Sequence, residues 1–333
     1  MQFDQANRRA FITLLGGAAA AWPLAARAQQ PAGKVWQIGV LETTSEALNA
    51  GNLEAFRKAL REAGYIEGQN LVIAYRSADG RAERFPELAA ELVRRKLDLI
   101  VTRGTPAAQA AKNATATIPI VMAAIGEPLG VGVVASLAHP GGNVTGFSAF
   151  VTELAGKRVG LMKEVAPGVT RVGFLNNMSN PVSPPQWEET VKAARSLRLQ
   201  AELLDVRRKE DIGPAFDLAA SRRVDGLLVG IEAVTQEHRG LIADLAQRQR
   251  LPTIYPAREF VEAGGLLSYG VSYPDLYRRA AGLVDKIFKG ANAGSLPVEQ
   301  PTKFEMIVNL KTAKAIGLDV PLNIQQLADE VIE

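Results

Sequence analysis

The sequence predicts an α/β protein of two Rossmann-like lobes, each built on a parallel sheet and joined by a hinge of several strands. Short apolar runs alternate with segments of helical periodicity, which is typical of parallel strands linked by crossover helices. The same order of elements then occurs twice, which indicates two similar lobes. Matching landmarks are separated by 134 residues from Gly39 to Gly173, 127 from Asp98 to Asp225 and 133 from Pro119 to Pro252.

The first lobe begins with an apolar strand at 35–41, followed by a helix over 53–60 that Gly64 ends. Further helices are predicted around 85–93 and from Thr105 onward. The strands that alternate with these helices are predicted at 71–75, 97–102 and 118–124. A strand-like run at 143–147 lies where the first lobe gives way to the second.

The second lobe repeats this order. Its strands are predicted at 171–175, 202–206, 224–229 and 251–254, with a helix around 187–194 after the first of them, and a further strand-like run at 266–271 follows the last. A long helix over 276–287 follows, and if it packs back on the first lobe the chain crosses the hinge at least twice. Segments 304–308 and 313–316 complete the fold, with a third crossing left open. We therefore expect lobe 1 to comprise 35–145 plus about 272–292, and lobe 2 to comprise 146–271 plus about 303–333.

The N-terminus is typical of an export signal. Arg8 and Arg9 precede an uncharged stretch at 10–26, and a small-residue site follows, so we expect a twin-arginine type signal peptide over 1–28 with cleavage between Ala28 and Gln29. The alternative is a retained membrane anchor, but the stretch is shorter and less apolar than the ~20 residues that a span needs. This predicts a periplasmic protein.

Composition limits the chemistry. The 333-residue chain has a net charge of +3, and removal of 1–28 leaves +1, which gives little electrostatic basis for nucleic-acid or membrane binding. The chain has no cysteine and two histidines, His139 and His238, which excludes thiol catalysis and three-histidine metal sites. No phosphate-binding glycine motif is present. We therefore predict neither a metal site nor a cofactor.

Candidate ligand contacts follow the strands, because ligands of open parallel sheets bind beyond the carboxyl ends of the strands. The polar candidates are Thr44, Ser45, Thr105, Glu127, Asn176, Ser179, Asn180 and Glu232. Thr105 and Pro106 begin a helix whose free N–H groups suit a ligand carboxylate, although an ordinary helix cap explains the pair too. Glu127 and Glu232 suit a ligand ammonium. Tyr255 and Tyr269 suit an apolar wall, with core packing as their alternative role.

Six segments together resemble one known family, the substrate-binding proteins of ABC transporters, in the group that includes tryptophan- and tyrosine-type amino-acid binders. The segments are 104–108, 118–121, 140–146, 269–271, 296–305 and 328–333. The resemblance implies a fold like that of type I periplasmic binding proteins. It also implies a monomer that closes on a small organic ligand, such as an amino acid, an aromatic acid or a related metabolite. The partner it implies is an inner-membrane permease with a cytoplasmic ATPase.

The resemblance also bears on individual residues. Thr105 matches the family's cleft threonine, and Ser179 and Asn180 fall in a loop that often supplies ligand contacts. Glu127 and Glu232 stand at or near positions where amino-acid binders often have aspartate, so the longer side chains shrink or re-aim the ammonium site. Two alternatives to a binding protein stay open. One is an exported α/β enzyme that uses Glu127 or Glu232 as acid or base, and the other is a sensor that partners a membrane signalling protein. We predict no catalytic residue, because no nucleophile–base pair can be read.

Overall fold

The computed structural model describes residues 34–333. The predicted signal peptide and its cleavage site at Ala28 and Gln29 lie outside the described residues. Strands from Trp36 onward form two sheets of five and seven strands. No helix within 34–333 is both long enough and apolar enough to cross a membrane.

The five-stranded sheet is parallel throughout, in the order β2-β1-β3-β4-β5. Its strands are β1 (Trp36–Glu42), β2 (Leu71–Ser77), β3 (Leu99–Arg103), β4 (Ile120–Ile125) and β5 (Val144–Ser148). The helices that alternate with them are α1 (Ala50–Glu62), α2 (Phe85–Arg94) and α3 (Thr105–Ala114). Every residue of β3, β4 and β5 is buried, as expected for strands covered by helices on both faces.

The seven-stranded sheet has the order β12-β11-β10-β9-β8-β6-β7. Its strands are β6 (Arg171–Asn176), β7 (Gln200–Asp205), β8 (Gly226–Val229), β9 (Thr253–Tyr255), β10 (Leu267–Val271), β11 (Phe304–Asn309) and β12 (Glu330–Ile332). The helices from α4 to α9 are α4 (Val151–Val165), α5 (Ser183–Ser196), α6 (Ile212–Ser221), α7 (Ala233–Glu237), α8 (Arg239–Arg248) and α9 (Arg258–Glu262). Three more follow, namely α10 (Tyr273–Phe288), α11 (Leu310–Ile316) and α12 (Leu322–Leu327).

Helix α10 packs against α1 rather than on the seven-stranded sheet. Phe56 of α1 meets Tyr277 of α10 edge to face, with ring centroids 6.4 Å apart. Both side chains are fully buried, which gives this helix pair a large apolar contact. We therefore call the five-stranded sheet with α1–α3 and α10 the first lobe, and the seven-stranded sheet with the remaining helices the second lobe.

Three segments connect the lobes. The chain leaves the first lobe after β5, returns to it between β10 and α10, and enters the second lobe again before β11. Contacts that hold the third segment beside β5 include a bridge between Phe147 and Glu299, and a 2.9 Å hydrogen bond that the Thr145 hydroxyl donates to the Leu296 carbonyl. This arrangement is a hinge of three adjacent connecting segments.

The predicted class, α/β with two Rossmann-like lobes, is confirmed. The second sheet differs from the expected parallel one, because β11 runs antiparallel to β10. Phe304, the first residue of β11, pairs with Val271, the last residue of β10. The chain thus re-enters the second lobe at the end of the sheet next to the hinge. Because it enters there, β11 runs in the direction opposite to β10.

Candidate ligand-binding site

A cavity of about 40 Å³ lies between the two lobes. Both lobes contribute to its walls at the carboxyl ends of their strands, as the strand-end rule predicts. Its polar lining residues are Thr43, Arg103, Thr105, Asn180, Glu232 and Gln236. Its larger apolar lining residues are Phe85, Ile125, Val151, Val182, Ile231 and Tyr273. The mix of an apolar wall with a few polar groups is typical of a small-molecule site.

Thr105 is the first residue of α3, one position later than a capping role requires, because Gly104 is the N-cap. Gly104 has φ +87°, in the left-handed region that favours glycine. The Thr105 hydroxyl accepts a 3.3 Å hydrogen bond from the Gly126 amide, so it ties the start of α3 to the loop after β4. The N-terminal end of a helix carries partial positive charge, and here it lines the cavity. This end of the cavity is therefore suited to an anionic group.

Glu232 is the acidic side chain that the second lobe brings to the cavity. It is 4% exposed and precedes α7. Its two carboxyl oxygens accept hydrogen bonds from Asn180 Nδ2 at 2.8 Å and from the Ser183 hydroxyl at 3.0 Å. Burial raises the pKa of Glu232 to about 8, and these two hydrogen bonds offset only part of that rise. Because both contacting groups are neutral, Glu232 is mainly protonated at neutral pH.

The loop after β6 separates three residues that the sequence placed together. Asn180 lines the cavity, whereas Ser179 is exposed and its hydroxyl donates to Asn177 Oδ1 at 2.6 Å. Asn176 is fully buried beneath the loop. Its side chain packs so tightly on Gly230 that a Cβ at position 230 would overlap the Asn176 amide. The geometry thus brings Asn180 to the cavity and leaves Ser179 and Asn176 away from its walls.

The loop after β1 lies along the contact between the lobes. Thr43 lines the cavity, and its hydroxyl donates to Gln236 Oε1 of the second lobe at 2.6 Å. Thr44 lines a separate cavity of about 10 Å³ next to the first. The Ser45 amide donates to Glu237 Oε2 at 3.2 Å. Thr44 and Ser45 therefore lie at the contact between the lobes but do not line the main cavity.

Glu127 and the two predicted tyrosines lie outside the cavity walls. Glu127 follows Gly126, which does line the cavity, and burial raises the pKa of the Glu127 carboxyl. Tyr255 is fully buried and stacks on Phe260, with ring centroids 5.3 Å apart. Tyr269 stacks on Phe304 and lines a different groove. The aromatic side chains that line the cavity are instead Phe85 and Tyr273.

Sequence reasoning missed Arg103, Gln236 and Tyr273. Arg103 directly precedes the Gly104-Thr105 pair, so a wider window at the end of β3 includes it. Gln236 lies on the five-residue helix α7, and Tyr273 begins the long helix α10. Gln236 reaches the cavity through the placement of helix α7, which the strand-end rule does not address, whereas Tyr273 lies two residues after β10 and falls within that rule. Across the described residues, no group of three or more His, Cys, Asp or Glu side chains is arranged to hold a metal ion.

Comparison with known proteins identifies the family. A family model described as ABC transporter substrate binding protein matches residues 37–332. The chain belongs to this family. A tyrosine-binding protein of Clostridioides difficile strain R20291 is 29% identical over 265 residues, which are 80% of this chain and 76% of that one.

Two solved structures of similar identity differ in their likeness to this chain. The first, an ABC domain from Streptococcus pneumonia in complex with L-Trp, has 30% identity, covers 89% of this chain and 99% of its own, and gives a TM-score of 0.82. The second is the ligand-free, open structure of a substrate-binding protein with adhesive properties from Clostridium difficile. It has 27% identity, covers 90% of this chain and 99% of its own, and gives a TM-score of 0.63. The family member described here is thus closer in shape to the L-Trp complex than to the open form.

Proposed function

We propose that this protein captures a small organic ligand, an amino acid or an aromatic acid, in the cavity between its lobes and delivers it to the permease of an ABC importer. One observation carries the proposal: the cavity has an apolar wall and polar groups from both lobes, with the α3 N-terminus on one side and Glu232 on the other. Family membership supports the same function, as does a relative named for tyrosine binding.

Ligand entry requires the lobes to separate. A cavity of about 40 Å³ holds roughly three water molecules at ~10–15 Å³ each, far less than an aromatic ring needs. Three adjacent connecting segments allow such a motion, because a hinge bends at a few residues while the lobes stay rigid. The greater likeness to an L-Trp complex than to an open structure supports a closed arrangement of these lobes.

The cavity has a place for each charge of a zwitterion. The α3 N-terminus and the Arg103 side chain favour a carboxylate. Glu232 favours an ammonium, which would displace the carboxyl proton and supply a positive charge next to a carboxyl whose hydrogen-bond partners are both neutral. An aromatic acid without an amino group would use the α3 side alone and leave Glu232 protonated. Binding of an amino acid would therefore release a proton from Glu232, whereas binding of an aromatic acid without an amino group would not.

The hydrogen-bonding of Glu232 supports a binding role over the catalytic alternative. Asn180 and Ser183 hold its two oxygens in place, which suits the recognition of a fixed group. We propose that the protein is not an enzyme and that it acts in the periplasm as a monomer.

A thermal-shift screen tests the proposal. Amino acids, benzoates and related small acids are added singly, and a compound that binds the native state alone should stabilise it by about 2.7 kcal/mol at 100 times its Kd. Recovery of that compound unchanged, by chromatography after incubation, is the expected second result. A screen in which no compound raises the melting temperature contradicts ligand capture, and consumption of the compound would favour an enzyme.

A further inference from the structure

A group of buried polar side chains joins the lobes beside the cavity. Arg103, at the end of β3 in the first lobe, places Nη2 3.2 Å from Glu259 Oε1 on α9 of the second lobe. Asn52 of α1 donates to the same oxygen at 3.0 Å. The Arg103 and Glu259 side chains are 5% and 14% exposed, so the pair is largely shielded from water.

We propose that Arg103, Asn52 and Glu259 form an interlobe latch that favours the closed arrangement of the lobes; this rests on the ligand-capture function proposed above. Asn52 and Glu259 do not line the main cavity, so they would act on closure without touching the ligand. Arg103, which also lines the cavity, links the latch to the ligand site, whereas Asn52 and Glu259 stay outside the ligand contacts.

Three further hydrogen bonds join the two lobes close to the latch. Arg239 of the second lobe donates to the Leu48 carbonyl of the first at 2.9 Å. The Thr43–Gln236 and Ser45–Glu237 hydrogen bonds described above join the same loop of the first lobe to α7. Glu259 accepts hydrogen bonds from two first-lobe side chains, one of them the cationic Arg103, so its loss should weaken the contact between the lobes strongly.

Each charge of the latch keeps a partner when the lobes separate. Within the first lobe, Arg103 donates to Asn49 Oδ1 at 3.2 Å, lies 4.1 Å from the centre of the Tyr273 ring and interacts with the charge of Glu42. Within the second lobe, Glu259 interacts with the charge of Arg239. Breaking a buried ion pair is strongly unfavourable when one charge is left uncompensated. Since neither charge is left alone, the latch can open as well as close.

Glu259 stays ionised in the closed arrangement. Burial pushes its pKa upward, but the charge of Arg103 and the hydrogen bond from Asn52 outweigh burial and hold the pKa below its usual value. A depressed carboxyl pKa means that the stabilisation is present at neutral pH and is lost only in acid. The latch is therefore a constant part of the closed state under neutral conditions.

Interlobe distances in the ligand-free protein test the latch. The chain has no cysteine, so Lys58→Cys on α1 and Asp217→Cys on α6, both at exposed positions, can carry one spin label per lobe. Double electron–electron resonance then measures the population at the distance of this structure. We expect the ratio of closed to open protein to fall roughly 10-fold in Glu259→Gln, and by less in Asn52→Ala.

Glu262→Gln is the matched control, because Glu262 lies on the same helix, is exposed and pairs with Arg258 within the second lobe. It should leave the distances unchanged, and unfolding temperatures show that each variant folds. Equal distributions in wild type and Glu259→Gln, or a wild type that lacks the closed distance, would overturn the latch. Because no ligand is added, a failed ligand screen does not affect this result. Conversely, a ligand-stabilised protein with unchanged distances would keep the capture function and reject the latch.

Discussion

Glu232 is a deeply buried titratable residue, and its protonation distinguishes the two proposed ligand classes. Its carboxyl is enclosed by neutral donors, and burial raises its pKa to about 8 from an ordinary value near 4.5. The folded state therefore binds a proton that the unfolded chain releases, so the free energy of unfolding should fall as pH rises from about 5 to 8. Glu42, whose pKa burial raises to about 7 against the charge of Arg103, acts in the same direction.

Glu232→Gln should remove most of the contribution of Glu232 to this pH dependence, because an amide does not titrate. Urea unfolding at pH 5.5 and pH 7.5 measures it, and the variant should lose less stability over this interval than wild type. Glu210→Gln, an exposed position in the same lobe, serves as the control. Identical pH dependence in wild type and Glu232→Gln would mean that Glu232 is not the buried, protonated group described above.

Substitutions of Thr105 test whether the α3 N-terminus binds a ligand carboxylate. Thr105→Ala should weaken the binding of a carboxylate ligand by about 1 kcal/mol, since it removes a hydroxyl that lines the cavity and holds the Gly126 loop. Thr105→Ser keeps the hydroxyl and should bind as wild type does. Titration calorimetry gives both affinities, and equal affinity of Thr105→Ala and wild type would return Thr105 to a purely structural role.

At this scale the sequence predicted some contacts and missed others for a physical reason. Thr105, Asn180 and Glu232 lie two to four residues after the ends of β3, β6 and β8, and the carboxyl ends of parallel strands meet at one edge, so they reach the cavity. Tyr255 and Tyr269 lie inside strands, where alternate side chains point to opposite faces and the sequence does not say which face meets the cleft. Arg103 and Glu259 are 156 positions apart, and no local pattern links them.

Among the elements, β5 carries a tight local constraint next to the hinge. Gly146 has φ +139°, and a Cβ there would overlap backbone atoms of Met122 on β4. β5 also carries Thr145, which bonds the third connecting segment. The glycine thus permits the close strand contact on which the hinge is built.

Gly146→Ala should destabilise the protein by about 2–3 kcal/mol, because the new methyl group meets backbone that cannot move aside. Gly160→Ala on α4 is the matched control, since a Cβ there meets open space and alanine favours a helix. Urea unfolding of the two variants compares them directly. A loss for Gly146→Ala no larger than the change for Gly160→Ala would contradict this account of β5.

Length alone did not decide which helices were predicted: the 16-residue α10 was predicted, but the 15-residue α4 and the five-residue α7 and α9 were not. Helix α10 buries apolar residues at helical spacing over 16 residues, which gives a clear periodic pattern. Helices α7 and α9 have five residues each, which is too short for such a pattern, yet they carry Gln236 and Glu259 to the contact between the lobes. The antiparallel direction of β11 depends on where the chain crosses the hinge, and strand periodicity contains no information on direction.

At the scale of the whole molecule, the internal repeat was enough to predict two lobes, because each half must bury its own sheet beneath helices. The relative arrangement of the lobes could not be predicted, since it depends on contacts between distant residues such as Asn52 and Glu259. The cavity between the lobes is a product of that arrangement.

Export of the whole chain stays a prediction from the sequence. Replacing Arg8 and Arg9 by lysine should leave uncleaved precursor in the cytoplasm if the twin-arginine route is used, because the receptor reads both arginines. Immunoblots of cytoplasmic and periplasmic fractions measure this. Undiminished export of the lysine variant would assign the leader to the general secretory route and leave the binding function unaffected.

The central claim is that a small organic ligand binds in the cavity between the lobes. Titration calorimetry of L-tryptophan, L-tyrosine, benzoate and every other compound that raises the melting temperature, into wild type and a Thr105→Ala/Glu232→Gln variant, tests it most directly. We predict saturable binding to wild type by at least one compound, and binding at least ~10-fold weaker to a variant that retains its fold. No binding to wild type, or equal affinity for the two proteins, would contradict the account.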